Sequence, residues 1–428
     1  MSFDLQPLDF PPDPFAIARS LSDREGVVLF FSDGGRSVYV GCDPLDVSRA
    51  IDPEPQLPRV AGMHGGAVPR WIGLVPYEAC RQLELQGASD PRPEPLVSRP
   101  LWLRFGALAC VANGKVVVAG DDPVARHSLR ERLLAAHPAS PPVMLRAAEP
   151  FEPGERHAER IRRALDHIGR GDIYEVNLAR RLVLEVTGAP WDLLAALGTP
   201  DLPPHSFALR FHDLDVAAAS PELCLRLEPD GRTWTAPIKG TRPRAADAQT
   251  DAALAAELEA DPKERAELIM IVDVERNDFG RVARTGSVRL ERAPHVVSLP
   301  SVHHRQAIVE AEIPSHVTRS ELLSAMLPSG SVTGAPKRRA MQLIGELEPH
   351  RRGLYTGVVG AVRRDGGLEL SMAIRTVVAR NGVGHYFAGG GIVAESDPMR
   401  EVEETRWKAE RVVSLIARST GRAEKWAD

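Results

Sequence analysis

The chain has 428 residues, with 53 lysines and arginines against 58 aspartates and glutamates, so its formal net charge is −5. A content of 43% hydrophobic and 26% charged residues is typical of a globular protein and excludes whole-chain disorder or a collagen-like structure. The negative balance argues against a nucleic-acid-binding protein. No apolar run approaches the about 18 residues of a membrane span, and no signal-peptide pattern is visible, so we expect a cytoplasmic protein.

The first third of the chain predicts strands followed by one helix. Apolar runs bounded by glycine, aspartate or asparagine predict strands at 27–33, 37–43, 101–112 and 115–122, of which the first two form a hairpin. Leucines at helical spacing predict a helix over 123–137. Residues 138–156 are rich in proline and indicate a connector, which suggests domain limits at 1–140 and 150–428.

The remainder of the chain mixes helices and strands. Apolar spacing predicts a helix at 155–169, and strands are predicted at 173–187, 206–211, 215–219, 222–228, 233–236, 353–362, 368–379 and 383–394. Two further helices are predicted to begin where aspartate precedes proline, at Asp261 and Asp397, the second running to about Gly421. The predicted fold class is therefore mixed α/β (α+β) with much antiparallel sheet.

Two of the predicted helices carry paired carboxylates. Glu264 and Glu267 share one helix face, and Glu401, Glu404 and Lys408 share a face of the other. Two carboxylate pairs can hold a hard cation, and Mg²⁺ commonly takes only one or two protein carboxylates. Taken alone, this spacing is more often a solvated face with ion pairs such as Glu404 with Lys408.

Two glycine-rich segments can approach a ligand closely. Residues 330–337, GSVTGAPK, precede a predicted helix start, where backbone N–H groups bind a carboxylate or phosphate. Residues 388–393, AGGGIV, offer three glycines without side chains. For both segments a tight structural turn is the alternative.

A lysine and a glutamate have the chemistry of catalytic groups. Lys239 lies in PIKGTRPR (237–244), a predicted turn in which burial would lower the pKa of the amine and make it a nucleophile. Glu222 follows a proline at a predicted strand start, where a partly buried carboxyl can act as a general acid. An exposed turn lysine and an ordinary turn acid are the commoner alternatives.

Together, and in this order, the segments from about residue 150 to 418 resemble the chorismate-utilising enzymes, which include the anthranilate, aminodeoxychorismate, isochorismate and salicylate synthases. The resemblance implies two antiparallel sheets packed face to face with helices outside. The matching segments are GDIYEVNLARR (171–181), SPEL (220–223), PIKGTRPR, DPKERAELIMIVDVERNDFGRV (261–282), LPSGSVTGAPKRRAMQLIGELE (327–348), RGLYTGVVG (352–360), AIRT (373–376), GGGIVAESDP (389–398) and EVEETRWKA (401–409).

The resemblance implies a set of site residues. Mg²⁺ would be bound by Glu267 and Glu404, with Glu264 and Glu401 beside them, and would hold the ring carboxylate of chorismate. The implied substrate-binding residues are Thr333, Gly334, Tyr355, Arg375, Gly389, Gly390, Gly391 and Lys408. Of these, Tyr355 and Arg375 match residues that contact the enolpyruvyl carboxylate. Glu222 matches the acid that protonates the departing ring hydroxyl.

Lys239 distinguishes the branches of the family. PIKGT is typical of aminodeoxychorismate synthases, in which the lysine amine attacks ring carbon 2 and ammonia then displaces it by attacking carbon 4. Glu175 stands where isochorismate and salicylate synthases have a water-activating lysine, which argues against that branch; relatives often have glutamine there. Ser298 replaces a histidine that bears on aromatisation in anthranilate synthases.

The source of ammonia is expected to be another chain. None of the four cysteines lies in a glycine-flanked nucleophile turn, so the sequence predicts a separate glutamine amidotransferase partner. Two alternatives stay open. One is the activity of anthranilate synthase component I, and the other is a non-catalytic relative that only binds chorismate or tryptophan.

Overall fold

A computed structural model of the chain describes residues 4–87, 89–135, 141–199, 201–299 and 302–421. Residues 138–140 of the predicted connector lie outside these ranges. The strands in chain order are β1 (Asp4–Leu8), β2 (Val27–Ser32), β3 (Ser37–Gly41), β4 (Asp46–Ser48), β5 (Pro69–Val75), β6 (Leu101–Arg104), β7 (Ala107–Ala112), β8 (Lys115–Gly120), β9 (Met144–Ala147), β10 (Glu175–Thr187), β11 (Phe207–Phe211), β12 (Leu214–Ala218), β13 (Leu223–Leu227), β14 (Arg232–Thr235), β15 (Ile238–Pro243), β16 (Arg289–Ser298), β17 (Val302–Glu312), β18 (Gly334–Ala335), β19 (Val358–Arg363), β20 (Leu368–Met372), β21 (Thr376–Arg380) and β22 (Val383–Ile392).

The helices cover the sheets, and several begin at an aspartate. In chain order they are α1 (Pro14–Ser20), α2 (Tyr77–Leu85), α3 (Pro123–Leu134), α4 (Gly154–Gly169), α5 (Pro190–Gly198), α6 (Ala248–Ala260), α7 (Pro262–Gly280), α8 (Arg319–Met326), α9 (Lys337–Leu347) and α10 (Pro398–Thr420). The side chains of Asp261 and Asp397 accept hydrogen bonds from the first-turn N–H groups of α7 and α10, as predicted. Gly421 ends α10 in the left-handed conformation with φ 66°.

The strands form two antiparallel sheets. The first has 12 strands in the order β1-β8-β7-β3-β2-β11-β12-β21-β22-β10-β18, with β9 also paired to β10. The second has 10 strands in the order β15-β17-β14-β13-β20-β19-β5-β6-β4, with β16 also paired to β17. Phe30 and Leu209 of the first sheet share an apolar cluster with Ile72 and Val359 of the second. The sheets therefore pack face to face, which confirms the predicted fold class.

Strands from both sides of the predicted domain boundary share each sheet. In the first sheet β2 pairs with β11, where Phe30 lies opposite Phe207. In the second sheet β5 pairs with β19, where Ile72 lies opposite Ala361. The early part of the chain thus completes the framework that holds the later part.

Two segments predicted as single strands are each divided between the sheets, so these two predictions are wrong. Residues 101–112 form β6 in the second sheet and β7 in the first, and residues 368–379 form β20 in the second and β21 in the first. The second crossing passes through Arg375, whose backbone has a positive φ of 50°. In the described ranges, no helix has the length and apolar content to cross a bilayer.

Candidate active site

Lys239 lies in strand β15 rather than in the predicted turn, and its amine is buried beside Glu175 of β10. The Lys239 Nζ donates to Glu175 Oε1 at 2.5 Å, and the side chains are 11% and 1% exposed. A Cβ at Gly391 would lie 2.9 Å from Lys239 Nζ and would overlap Glu175 Oε1. Glycine at this position therefore makes room for the buried pair.

The pKa of Lys239 is raised, which contradicts the expectation from the sequence. Burial alone lowers the pKa of the amine, but the carboxylates of Glu175 and Glu267 outweigh it. In the free site Lys239 is therefore an ammonium, and it must lose a proton before it can act as a nucleophile. The Oε2 atom of Glu175 is buried and has no hydrogen-bond partner among the described residues, so this carboxylate has a free oxygen next to the ammonium.

Glu222 has the properties of a general acid. It precedes β13, is 4% exposed, and its Oε1 accepts a hydrogen bond from Ser331 Oγ at 2.7 Å. Burial raises the pKa of Glu222 to about 7, against the opposing effects of the Ser331 hydrogen bond and the charge of Lys239. A carboxyl with this pKa carries a proton in a large fraction of molecules near neutral pH.

Helices α7 and α10, which carry the paired glutamates, come within contact distance of each other, as a shared site requires. Lys263 Nζ of α7 lies 3.7 Å from Glu267 Oε1 and 3.7 Å from Glu401 Oε1 of α10. Lys408 Nζ lies 2.5 Å from Glu404 Oε1. Burial raises the pKa of Glu267 to about 7. The predicted ion pair between Glu404 and Lys408 is thus present, and so is a convergence of carboxylates.

The carboxylates offer the oxygen ligands that Mg²⁺ prefers. Burial followed by the charge of Glu404 raises the pKa values of Glu264 and Glu401, although the charge of Lys263 acts in the opposite direction. A Cβ at Gly390 would lie 3.3 Å from Glu401 Oε2 and 3.4 Å from Glu404 Oε1, so the glycine opens a path to both. In the described ranges no three histidine, cysteine, aspartate or glutamate side chains form a ready metal cluster, but one or two carboxylates suffice when water and substrate oxygens complete the shell. Magnesium stays a prediction that this donor set fits.

The glycine-rich segment 330–337 lies against Glu175. Gly334 has φ 131°, and a Cβ there would overlap the Glu175 carbonyl oxygen, so only glycine fits. Thr333 is fully buried, and its Oγ1 donates to the Ser329 carbonyl at 2.8 Å. The segment forms a short 3₁₀ turn at Gly330–Val332 and strand β18 before α9 begins.

Tyr355 lies against the glycine triplet Gly389–Gly391, and Arg375 lies in electrostatic range of Tyr386 and His304. The ring of Tyr355 stacks on Phe387 with centroids 5.2 Å apart, and its Oη lies 2.8 Å from where a Cβ of Gly389 would be. Lys408 Nζ donates to the Gly389 carbonyl at 2.8 Å. The Arg375 guanidinium forms no ion pair with any residue that the structure describes, and it is a ready partner for a carboxylate.

Three residues that the sequence analysis did not single out also belong to the site: Lys263, Ser331 and His304. Ser331 lies inside GSVTGAPK, and Lys263 lies four residues before Glu267, so both were visible as motif neighbours. His304 is buried with Nδ1 3.1 Å from the Gly240 carbonyl; burial and the charge of Arg375 lower its pKa to about 4. No sequence pattern near His304 indicates that its ring is buried or that its pKa is lowered.

Ser298, which stands where anthranilate synthases have a histidine, forms its side-chain contact with a neighbouring strand. Its Oγ lies 2.8 Å from His303 Nδ1, and His303 Nε2 lies 2.9 Å from Asp251 Oδ1 of α6. Ser298 therefore belongs to a hydrogen-bonded set that links β16 and β17 to α6. Nothing in these contacts connects it to Lys239 or Glu222.

The comparisons with known proteins agree on one family. Residues 43–414 match the model of the chorismate binding enzyme family. The chain is 35% identical to anthranilate synthase component 1 of Streptomyces coelicolor over 96% of this chain and 86% of that protein. It is 37% identical to aminodeoxychorismate synthase component 1 of Klebsiella aerogenes over 85% of this chain and 79% of that protein. The crystal structure of anthranilate synthase component I from Streptococcus pneumoniae superposes with a TM-score of 0.73 at 27% identity, covering 97% and 92% of the two chains.

Proposed function

This chain belongs to the chorismate-binding enzyme family, and we propose that it is the synthase component of an aminodeoxychorismate synthase. It converts chorismate and ammonia into 4-amino-4-deoxychorismate, a precursor of 4-aminobenzoate and folate. The observation that carries the proposal is the buried Lys239 amine, positioned beside Glu175 and in the electrostatic range of Glu222. Relatives named for aminodeoxychorismate synthesis and for anthranilate synthesis have similar identities, so the choice between the two activities rests on the lysine in this proposal.

The first step activates the nucleophile. The Lys239 ammonium gives a proton to Glu175, which lies 2.5 Å away and has a second buried oxygen without a partner. Protonation neutralises the carboxylate that raises the pKa of the amine, so the amine is then free to attack the substrate. Glutamate at position 175 therefore gives this chain a local proton acceptor that an amide would not supply.

The free amine then attacks ring carbon 2 while the hydroxyl on carbon 4 leaves. A carbon–nitrogen bond forms at carbon 2, the two ring double bonds shift so that one of them reaches carbon 4, the bond between carbon 4 and oxygen breaks, and Glu222 supplies the proton with which the hydroxyl departs as water. Ammonia next forms a bond to carbon 4 and loses one proton, the double bonds shift back, and the bond between carbon 2 and Lys239 breaks. The enolpyruvyl group stays on the ring, so no pyruvate is released.

Substrate is oriented through its two carboxylates. Arg375, which lacks an ion pair within the described residues, receives the enolpyruvyl carboxylate together with Tyr355. Glu267 and Glu404, with Glu264 and Glu401 beside them, would hold Mg²⁺. When bound, Mg²⁺ supplies positive charge to the ring carboxylate.

Ammonia comes from a partner under this proposal. Relatives are named as component 1 of their enzymes, which supports a second component. All four cysteines are free thiols; Cys80 and Cys224 are buried, and burial raises their pKa values. Burial also raises the pKa values of Cys42 and Cys110, so none of the four thiols is activated to cleave glutamine, and a separate glutamine amidotransferase is the proposed source.

Product identification tests the proposed function. Pure protein with chorismate, Mg²⁺ and ammonium at mildly alkaline pH is expected to give aminodeoxychorismate without pyruvate, measured by mass spectrometry. Anthranilate plus pyruvate would instead assign the activity of the anthranilate synthases, and isochorismate would show that water is the nucleophile. Absence of turnover even with an added amidotransferase would favour the binding-only alternative.

Chelation of divalent cations is expected to lower turnover by about 10²-fold or more, because several kcal/mol of charge stabilisation are lost. Added Mg²⁺ should restore turnover and should raise the melting temperature of the wild type, since the cation binds the folded state. Glu267→Gln is expected to lose both effects. Glu403→Gln is the control on α10, since Glu403 pairs with Arg406 instead. Full activity in excess chelator would contradict the prediction.

A further inference from the structure

A chain of hydrogen bonds leads from Glu222 into the protein and ends at a second buried carboxyl, Glu275 of α7. Ser331 Oγ donates to Glu222 Oε1 at 2.7 Å, and Ser329 Oγ donates to Glu275 Oε1 at 2.7 Å. The two serine hydroxyls lie 3.0 Å apart. All four residues are at most 6% exposed, so water does not compete for these bonds.

Counting protons shows what this chain requires. Four groups are joined by three hydrogen bonds, and each bond needs one proton. The two hydroxyls supply only two, so the third must be carried by one of the carboxyls. If both carboxyls were ionised, the contact between Ser329 and Ser331 would lack a proton, and two buried charges would remain. The fully bonded chain therefore holds at least one carboxyl proton.

The surroundings favour retention of that proton. Glu275 is faced by Asp278, Lys337 and Cys224, and burial with the charge of Asp278 raises the pKa of Glu275 to about 7, in spite of Lys337. Lys337 is engaged by an ion pair with Asp278. The group at the inner end of the chain is thus a carboxyl that titrates near neutral pH.

The outer end of this hydrogen-bonded chain, Glu222, faces the place where the substrate reacts. Glu222 is faced by Ser331 and by the charges of Lys239 and Lys408, with Glu275 on the inner side. The two carboxyls therefore titrate in the same range and share one hydrogen-bonded path.

We propose that Glu275 is a positioning residue that shares a proton with Glu222 through Ser329 and Ser331 and keeps the acid supplied. Before Glu222 acts, the Glu275 proton passes to Ser329, that of Ser329 to Ser331, and that of Ser331 to Glu222, which then gives its proton to the leaving hydroxyl. Only O–H bonds break and form, and the proton that ammonia loses on bonding to carbon 4 restores the balance. This inference rests on the proposed function, in which Glu222 is the acid.

The test is the pH dependence of chorismate consumption by the Glu275→Gln variant. The amide removes a negative charge and donates to Ser329, so the serines turn towards Glu222 and favour its ionised form. The alkaline limb of kcat is expected to move down by about one pH unit, which is about a tenfold loss at alkaline pH. Activity at acidic pH should change little, and Ser329→Ala should shift the limb in the same direction.

Matched controls separate this role from a structural one. Glu369 is an equally buried glutamate that accepts a hydrogen bond from Ser32 at 2.6 Å, and Glu369→Gln should leave the pH profile unchanged. The effects of Ser329→Ala and Glu275→Gln should not add in the double variant, because both cut the same path. An unshifted limb in Glu275→Gln, or an equal loss at every pH, would overturn the proposal.

A second measurement does not depend on turnover. Infrared difference spectra between wild type and Glu222→Gln report the protonated Glu222 carboxyl, and its titration should move to lower pH in the Glu275→Gln background. If chorismate is not consumed, the proposed function fails while this titration still decides whether the two carboxyls share a proton. A titration that is the same in both backgrounds contradicts the inference directly.

Discussion

Lys239→Ala is expected to lower aminodeoxychorismate formation on the order of 10³-fold or more, because the nucleophile is removed and no other amine occupies its place. Lys263 and Lys408 are the neighbouring site lysines, but both are engaged with carboxylates of α7 and α10. Affinity for chorismate should change only severalfold, since the carboxylate-binding residues remain. Turnover is measured by mass spectrometry and affinity by calorimetry.

Folding must be separated from chemistry in this variant. Removal of Lys239 leaves Glu175 as a buried charge without its partner, and breaking such a pair typically costs about 3–5 kcal/mol. The double variant with Glu175→Gln removes that charge, and Lys239→Arg keeps a cation beside Glu175 without a usable nucleophile. All three variants should be equally inactive whatever their melting temperatures. Wild-type rates in any of them would show that Lys239 does not form the covalent intermediate.

The single change Glu175→Gln tests the proton acceptor. The amide cannot accept the ammonium proton, so kcat is expected to fall by about 10²-fold, the lower end of the range of general base effects. The fall should diminish as the pH rises, because bulk base then removes the proton. An unchanged kcat over the whole pH range would show that Glu175 only neutralises Lys239.

Glu222→Gln is expected to lower kcat by about 10²–10⁴-fold, the usual contribution of a positioned general acid. The amide keeps the shape and the contact with Ser331 but has no proton of sufficient acidity. Burial raises the pKa of Glu222 to about 7, so its protonated and active form prevails below that pH. The wild-type kcat should therefore fall as the pH rises through about 7.

The pH profile is the control for this second prediction. Glu222→Gln should lose the descending limb as well as the rate, because the titrating group is gone. Glu222→Asp keeps a carboxyl group, but its shorter side chain holds that group farther from the substrate ring. This variant should therefore retain the descending limb of the pH profile at a reduced kcat. A limb that persists unchanged in Glu222→Gln would assign it to another group, such as Glu267, whose pKa is also raised to about 7.

The sequence by itself determined the features that depend on near neighbours. Asp261 and Asp397 cap their helices because the aspartate, the following proline and the first-turn N–H groups lie within a few residues. Strands β2, β3 and β8 were predicted because each is an apolar run that ends next to glycine or aspartate. The order of many motifs along the chain identified the family, since that information is linear.

Only the tertiary structure decided which groups meet. Lys239 and Glu175 are 64 residues apart and Glu222 and Ser331 are 109 apart, so no local pattern shows that they are in contact. The direction of the Lys239 pKa was wrong because burial was visible in the sequence and the opposing carboxylate was not. Residues 101–112 and 368–379 read as single strands because both halves are apolar, although the sheet that each half joins is set by distant partners. Side-chain electrostatics follow separation in space, and the packing of the two sheets sets that separation.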